Sequence, residues 1–290
     1  NFSLCLHIGN KYQLRGIVKR IPENAKKMIK TFWPGPLTLI FEKADCVPKE
    51  TSGGLETVAV RMPSHKDANA FLKACALPVA APSANLSGRP SPTKAAHVIE
   101  DMSGRISCIL DAGEADIGVE STILDVSGAK PVLLRPGYIT KAQLETVIGP
   151  IDEDPAILAH NIIGHTNAVE HPKAPGMKYR HYAPKAPLTI VYGNEQDVLE
   201  KIRKNADENT GILTVDEHLS YFQTGKVVSV GKHSDPDTVA HHLFDVLREF
   251  DTLGVEKIYS EDFSDNDIGT AIMNRLLKAA GGTYIPADEL

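Results

Sequence analysis

Ser121 to Gly137 reads STILDVSGAKPVLLRPG. Its two short apolar runs, Ser121 to Asp125 and Val132 to Arg135, are separated by turn-forming residues, so both read as strands with no helix between them. Outward from this stretch, Cys108 to Asp111 reads as a further strand. Leu37 to Phe41 (LTLIF) is a buried strand entered from the break Trp33-Pro34-Gly35-Pro36. Thr57 to Arg61 (TVAVR) is another, stopped by Pro63, and Pro78 to Ala81 is a short one. Helical spacing predicts helices over PENAKKMIKTF (22–32), His65 to Ala76 and Thr93 to Met102, with one more opening at Thr140. Strands that follow each other directly among helices predict an α/β domain of the α+β-like, mixed-sheet kind, not a regular doubly wound one.

From about 150 to 186 the periodicity fades. Pro150, Pro155, Pro172, Pro175 and Pro184 fall here, and a stretch this long without pattern is a linker or a functional loop. Its end, HPKAPGMKYRHYAP (171–184), is too aromatic and basic for a plain spacer. After Pro187 strands and helices alternate: LTIVY, Glu195 to Lys204, GILTV, VVSV, Asp237 to Phe250, KIYSE and Thr270 to Ala280. That alternation predicts a small parallel α/β domain. The expected organisation is therefore 1–149, a linker at 150–186, and 187–290.

A hydrophobic content of 42% and a charged content of 23% exclude a disordered chain, and no apolar run is long enough to cross a bilayer. Net charge is −6, unevenly placed. Residues 187–290 carry 9 lysines and arginines against 19 acids, leaving 22 against 18 in residues 1–186. The first part is the better place for an anionic ligand such as a nucleotide, and neither part is basic enough to predict stable nucleic-acid binding. Cys5, Cys46, Cys75 and Cys108 form no C-x-x-C pair and sit among apolar or small residues, which predicts buried free thiols and a reducing, cytoplasmic setting. The 11 histidines show no zinc spacing; His241 and His242 are adjacent on a predicted helix and point different ways. No protein-bound metal, serine triad or cysteine nucleophile is predicted.

Four features could carry chemistry. APSANLSGRPSPT (81–93) runs from a strand end toward a helix start; its small residues, the hydroxyls of Ser83, Ser87, Ser91 and Thr93, and the Asn85 amide suit phosphate or ribose. A capped turn explains the same composition. GVESTI (118–123) could form an anion-binding turn, or only lead into a strand; it has neither the Gly-Lys-Ser/Thr of a P-loop nor a G-x-S-x-G elbow. Arg61 and Arg135 each end an apolar strand beside a proline turn, where a guanidinium can meet a carboxylate or phosphate, or simply an acidic neighbour. Lys178 to Tyr182 joins aromatic and basic side chains, which could stack on a base or form a linker patch. His7, inside LCLHIG, reads as a core histidine.

Taken in order, FWPGPLTLIF (32–41), TVAVRMP (57–63), APSANLSGRPSPT (81–93), GVESTILD (118–125), LLRPG (133–137) and PGMKYRHYAP (175–184) resemble the YrdC-type threonylcarbamoyl-AMP synthases. AIMNRLLKAAGG (271–282) resembles the end of the second domain in their two-domain form. The resemblance implies a twisted, mixed-sheet YrdC-like domain, a linker that folds over the active site, and a smaller Rossmann-like domain. It implies condensation of L-threonine, bicarbonate and ATP into threonylcarbamoyl-AMP with release of pyrophosphate. Mg²⁺ comes with the ATP, and a downstream transferase places the group on the adenosine beside the tRNA anticodon. By similarity Thr57, Ser83, Ser91, Arg135 and Tyr182 meet ATP or the adenylate. His7, Arg61, Ala81 and Ser121 meet threonine, and Asn85 shapes the site. The implied mechanism is positioning and charge stabilisation, with no side-chain nucleophile.

The family pattern also includes an N-terminal T-E-T-V-Y-G-L-G stretch and a K-x-R-x-x-S-x-N-P-L segment. The sequence opens at Asn1 inside the latter, with Phe2 and Ser3 where Asn and Pro are usual. The resemblance implies that the Lys and Arg of that segment face the triphosphate, so weakened ATP binding is expected of the 290 residues by themselves. Two readings from different classes follow: the synthase, and a nucleotide- or RNA-binding regulatory module derived from it that has lost catalysis.

Overall fold

The computed structural model describes residues 4–155, 157, 181–264 and 268–290. They divide into two compact units, the first containing 4–82 and 120–155, the second 83–119, 181–264 and 268–290. Most of the expected linker at 150–186, with Lys178, Tyr179 and Arg180, lies outside the described residues.

The first unit is built on β1 (Cys5–His7), β2 (Leu37–Glu42), β3 (Thr57–Arg61), β4 (Val79–Ala81), β5 (Thr122–Asp125), β6 (Val132–Arg135) and β7 (Asp152–Glu153). They form one sheet in the order β4-β1-β3-β2-β5-β6-β7. It is mixed: β1/β3, β2/β5 and β6/β7 are parallel, whereas β1/β4, β2/β3 and β5/β6 are antiparallel. The mixed sheet expected from consecutive strands is the one observed. LTLIF is buried along its whole length because β2 is central, with β3 on one side and β5 on the other.

Helices α1 (Leu14–Ile17), α2 (Glu23–Phe32), α3 (Lys49–Ser52), α4 (Lys66–Cys75) and α6 (Lys141–Ile148) belong to this unit. In α2, Ala25, Met28 and Ile29 are buried at the three- and four-residue spacing of a single helix face. Thr140 caps α6 through a capping box with Gln143. The main core joins these helix faces to Leu6, Leu39, Phe41, Val58, Val60 and Leu124, all on one side of the sheet. The other side carries a small separate patch, Ile40, Ala59, Ile123 and Leu134. That difference leaves the second face for polar residues.

The second unit holds α5 (Ala95–Met102) and a five-stranded sheet of β8 (Leu188–Tyr192), β9 (Thr210–Thr214), β10 (Lys226–Ser229), β11 (Lys257–Glu261) and β12 (Tyr284–Pro286). The order is β10-β9-β11-β8-β12 and every pairing is parallel, as the alternation predicts. Helices α7 (Glu195–Asn205), α8 (Pro236–Leu253) and α9 (Gly269–Ala279) connect the strands.

Three expectations are corrected. Cys108 to Asp111 is not a strand: Leu110 is 75% exposed, and a short apolar run without a neighbouring strand has nothing to pair with. The cysteines are not buried: Cys46 and Cys108 are exposed, Cys5 and Cys75 half-buried, because Cys46 lies in a turn and Cys108 in that irregular stretch. The helix expected from Thr93 begins at Ala95, since the backbone at Lys94 is still extended, with φ −132° and ψ 153°.

Candidate active site

Register brings the first group of candidate residues together. His7 is paired with Arg61, Arg61 with Thr38, Thr38 with Ile123, and Ile123 with Arg135. Residues directly opposite share a sheet face, so five strands present one row: His7, Arg61, Thr38, Ile123, Arg135. Ser121, two residues before Ile123, joins the row through its hydroxyl, which is 2.8 Å from Thr38 Oγ1. The next row on this face is Ala81, Cys5, Ala59 and Ile40. Thr57 is paired with Glu42, four residues before Arg61, or about 13 Å along the strand. Thus His7, Arg61, Ser121 and Arg135 cluster at one end of the face. Ala81 stands one row away, and Thr57 at the far end of β3.

The arginines are held by backbone carbonyls. Arg61 Nε donates to Gly35 O at 3.1 Å, so the Trp-Pro-Gly-Pro break that starts β2 also orients the guanidinium. Among the described residues Arg61 makes no ion pair with a carboxylate, which removes the acidic-neighbour explanation for it. Arg135 donates from Nε and Nη2 to Ser121 O at 3.1 and 2.9 Å, and from Nη2 to Ser121 Oγ at 3.3 Å. Gly137 makes this possible: a Cβ there would lie 2.4 Å from Thr122 N and 2.7 Å from Glu120 O, so the chain after Arg135 rests on the backbone around Ser121.

Electrostatics follow from enclosure. Burial pulls the Arg61 guanidinium below its ordinary value and the Arg135 charge adds to this, yet a guanidinium stays protonated at neutral pH. Burial, then the Arg61 charge, lowers His7 to about 4, so its imidazole is neutral at pH 7. Its Nδ1 is buried without a hydrogen bond among the described residues. Burial pushes the Cys5 thiol up to about 11; it is protonated at neutral pH and a poor nucleophile. The face therefore offers two fixed cations, neutral hydroxyls and a neutral imidazole. Such a set is chemically suited to a carboxylate or phosphate.

Ser83, Asn85, Ser91 and Tyr182 belong to the second unit. Ser83 is exposed and Ser91 buried. Asn85 Nδ2 donates to Leu86 O at 2.9 Å and Arg89 O at 3.2 Å, bracing the loop from within, while its Oδ1 is buried without a partner among the described residues. Tyr182 is buried at a positive φ of 65°, unusual for an aromatic residue, with its ring 4.9 Å from Phe244. The Ala183 N–H donates to Gly88 O at 2.9 Å, which ties Tyr182 to the same loop.

Sequence reasoning missed Thr38. Its signal was present in LTLIF, where the one hydroxyl in an apolar strand falls on the polar face. Among the described residues no group of three or more His, Cys, Asp or Glu side chains could hold a metal ion, and no helix is long and apolar enough to cross a membrane.

Residues 1–137 match the Sua5/YciO/YrdC family, described as telomere recombination. Residues 139–281 match the family described as the threonylcarbamoyl-AMP synthase C-terminal domain. The chain is 47% identical over 285 residues to the threonylcarbamoyl-AMP synthase of Bacillus subtilis, covering 97% of this chain and 80% of that protein. It is 43% identical to the synthase of Pyrococcus abyssi, with 96% and 80% covered. The crystal structure of P. abyssi Sua5 complexed with L-threonine superposes with a TM-score of 0.89 at 42% identity, over 98% of this chain and 82% of that one. With both domain matches in sequence order, the chain belongs to the two-domain Sua5-type family of threonylcarbamoyl-AMP synthases.

Proposed function

We propose that this chain makes L-threonylcarbamoyl-AMP from L-threonine, bicarbonate and ATP. The observation that carries the reading is the row on the first sheet, where the half-buried Arg61 and the buried Arg135 present guanidiniums beside Ser121, Thr38 and a neutral His7. The P. abyssi relative crystallised with L-threonine supports the choice of amino acid. In this reading Arg61 takes the threonine carboxylate in a charge-assisted pair. Ser121, His7 and the Ala81 backbone orient the remaining polar atoms. The threonine amine adds to bicarbonate with loss of water, giving a carbamate. A carbamate oxygen attacks the α-phosphorus of ATP, the bond to the bridging oxygen breaks, and pyrophosphate leaves. Arg135 stabilises charge developing on phosphate oxygens, and positioning supplies the rest. Thr57, Ser83, Ser91 and Tyr182 are the remaining proposed nucleotide contacts. Mg²⁺ enters with ATP as part of that substrate, and the product passes to a transferase acting on tRNA.

The test is incubation with threonine, bicarbonate and ATP, read as pyrophosphate release. The signal should vanish when threonine is left out. Nucleotide binding without any threonine-dependent pyrophosphate would replace this reading with the regulatory one.

A further inference from the structure

One face of α8 anchors the segment 83–119 at several separate points. His241, Asp245 and Arg248 are spaced by four and three residues, which places them on one side of the helix. His241 Nδ1 lies 3.0 Å from Asp116 O. The Lys94 ammonium donates to Asp245 Oδ2 at 2.7 Å, and His97 Nε2 lies 3.2 Å from Asp245 Oδ1. His97 Nδ1 accepts from the Thr93 N–H, so the ring proton sits on Nε2 and points at Asp245. Arg248 donates from Nε and Nη2 to Pro90 O at 3.1 and 2.6 Å, and from Nη2 to Asp101 Oδ2 at 2.7 Å. Asp101 also accepts the Leu86 N–H at 3.2 Å and an Arg89 Nη1. The side chain of Asp101 is fully buried and that of Arg248 is 3% exposed. Gly118 lies so close to the helix backbone that a Cβ would stand 1.8 Å from His241 O.

We infer that Arg248 and Asp101 are positioning residues for nucleotide binding. The inference rests on the reading of the 83–93 loop given above. Their bonds fall on Leu86 and Pro90, the neighbours of Asn85 and Ser91, so they fix the loop on both sides of the residues proposed to shape and bind the adenylate. Burying the Arg248 and Asp101 charges, which also meet Glu100 and Arg89, to hold the Pro90 carbonyl and the Leu86 amide is expensive where apolar packing would serve stability as well. What the charges add is direction: Arg248 aims a planar fork at Pro90 O and Asp101 together. The threonine-facing row is held by β-sheet register instead, so losing the anchor should separate the two substrates. This also gives His241, which has no zinc spacing, a place in the architecture as the far end of the same face.

The test uses the full chain with Arg248→Met, Arg248→Lys and the Asp101→Asn/Arg248→Met pair, in which no buried charge is orphaned should Arg248→Met fold poorly. ATP and threonine affinities are measured by equilibrium binding, and amide exchange is followed in peptides spanning 84–93. Arg248→Met and the pair are expected to weaken ATP binding about tenfold or more while threonine binding stays within about twofold, with faster exchange at Leu86 and Arg89 and unchanged exchange in α9. Arg248→Lys should recover part of the ATP affinity. Equal losses for both ligands, or faster exchange with no change in ATP affinity, would overturn the positioning role. So would unchanged exchange, whatever the activity. A wild-type chain that binds no ATP and releases no pyrophosphate overturns the functional reading, which the exchange data keep distinct from the anchoring itself.

Discussion

On the seven-stranded sheet, His7, Arg61, Thr38 and Arg135 stand where strand register puts them; on the 83–93 loop, Asn85 and Ser91 stand where the buried pair Arg248 and Asp101 holds their neighbours. The first arrangement is over-determined. Each residue lies on a paired strand, His7, Arg61 and Arg135 at the strand's last position, so moving one means moving a strand. The second has no ladder and depends on a few charge-assisted bonds from α8. The difference teaches that this fold presents hard, fixed cations from its sheet and a softer, clamped set of neutral donors from its loop. Clamping is what an irregular segment requires if its side chains are to be held for a ligand.

The clamp carries the largest expected effect. Arg248→Met takes the guanidinium from Asp101 Oδ2, leaving the buried carboxylate with Arg89 and the Leu86 N–H, and should cost about 3 kcal/mol in denaturant unfolding, with the Asp101→Asn/Arg248→Met pair recovering much of that. Burial works against the ionised Asp101, but Arg248, the Leu86 N–H and Arg89 hold it below the usual carboxylate range. Its contribution is therefore present at neutral pH and lost as pH falls through the folded-state value.

On the sheet, acidification offers the next effect. Folded His7 does not take a proton until about pH 4, whereas the unfolded chain takes one near 6.5. The unfolded state is then the more protonated in that window, so stability falls as pH drops through it, by about 3 kcal/mol in full. His7→Gln should flatten the stability profile between those limits; an unchanged slope would mean that another group titrates.

Arg61→Ala should remove about 2–3 kcal/mol of threonine binding, roughly a hundredfold in affinity, with little change in ATP affinity. This is the mirror image of the loop variants and the sharpest form of the contrast. Gly137→Ala drives a methyl into the backbone at Thr122 and Glu120 and should cost about 2 kcal/mol of stability while loosening the Arg135–Ser121 contact. Thr38→Val removes one buried hydroxyl bond and should cost about 1 kcal/mol, since Ser121 Oγ keeps Arg135 as a donor.

Much of this was legible in the chain. The strands Thr57–Arg61 and Val132–Arg135 are bounded where the apolar runs and the prolines that follow them place them, and the terminal arginine beside each turn is what made each a candidate for meeting an anion. The parallel sheet of the second unit is written in its alternation. Short elements were not legible. Cys5–His7 is three residues long and exists as a strand because β3 and β4 flank it, while Cys108 to Asp111 has comparable composition and no flanking strand. His7 accordingly read as a core residue, because its row with Arg61 is a fact of pairing.

By itself, then, the sequence determined the strand cores, the turns that end them, the family motifs and the residue types able to meet an anion. These depend on neighbours within a few positions, where periodicity and backbone restriction act. Only the tertiary structure decided which face the arginines share, that Thr38 joins them, and that Asp101 and Arg248, 147 residues apart, hold one loop between them. Pairing across strands and burial of opposite charges are long-range choices, set by which surfaces exclude water together, and no local pattern encodes them.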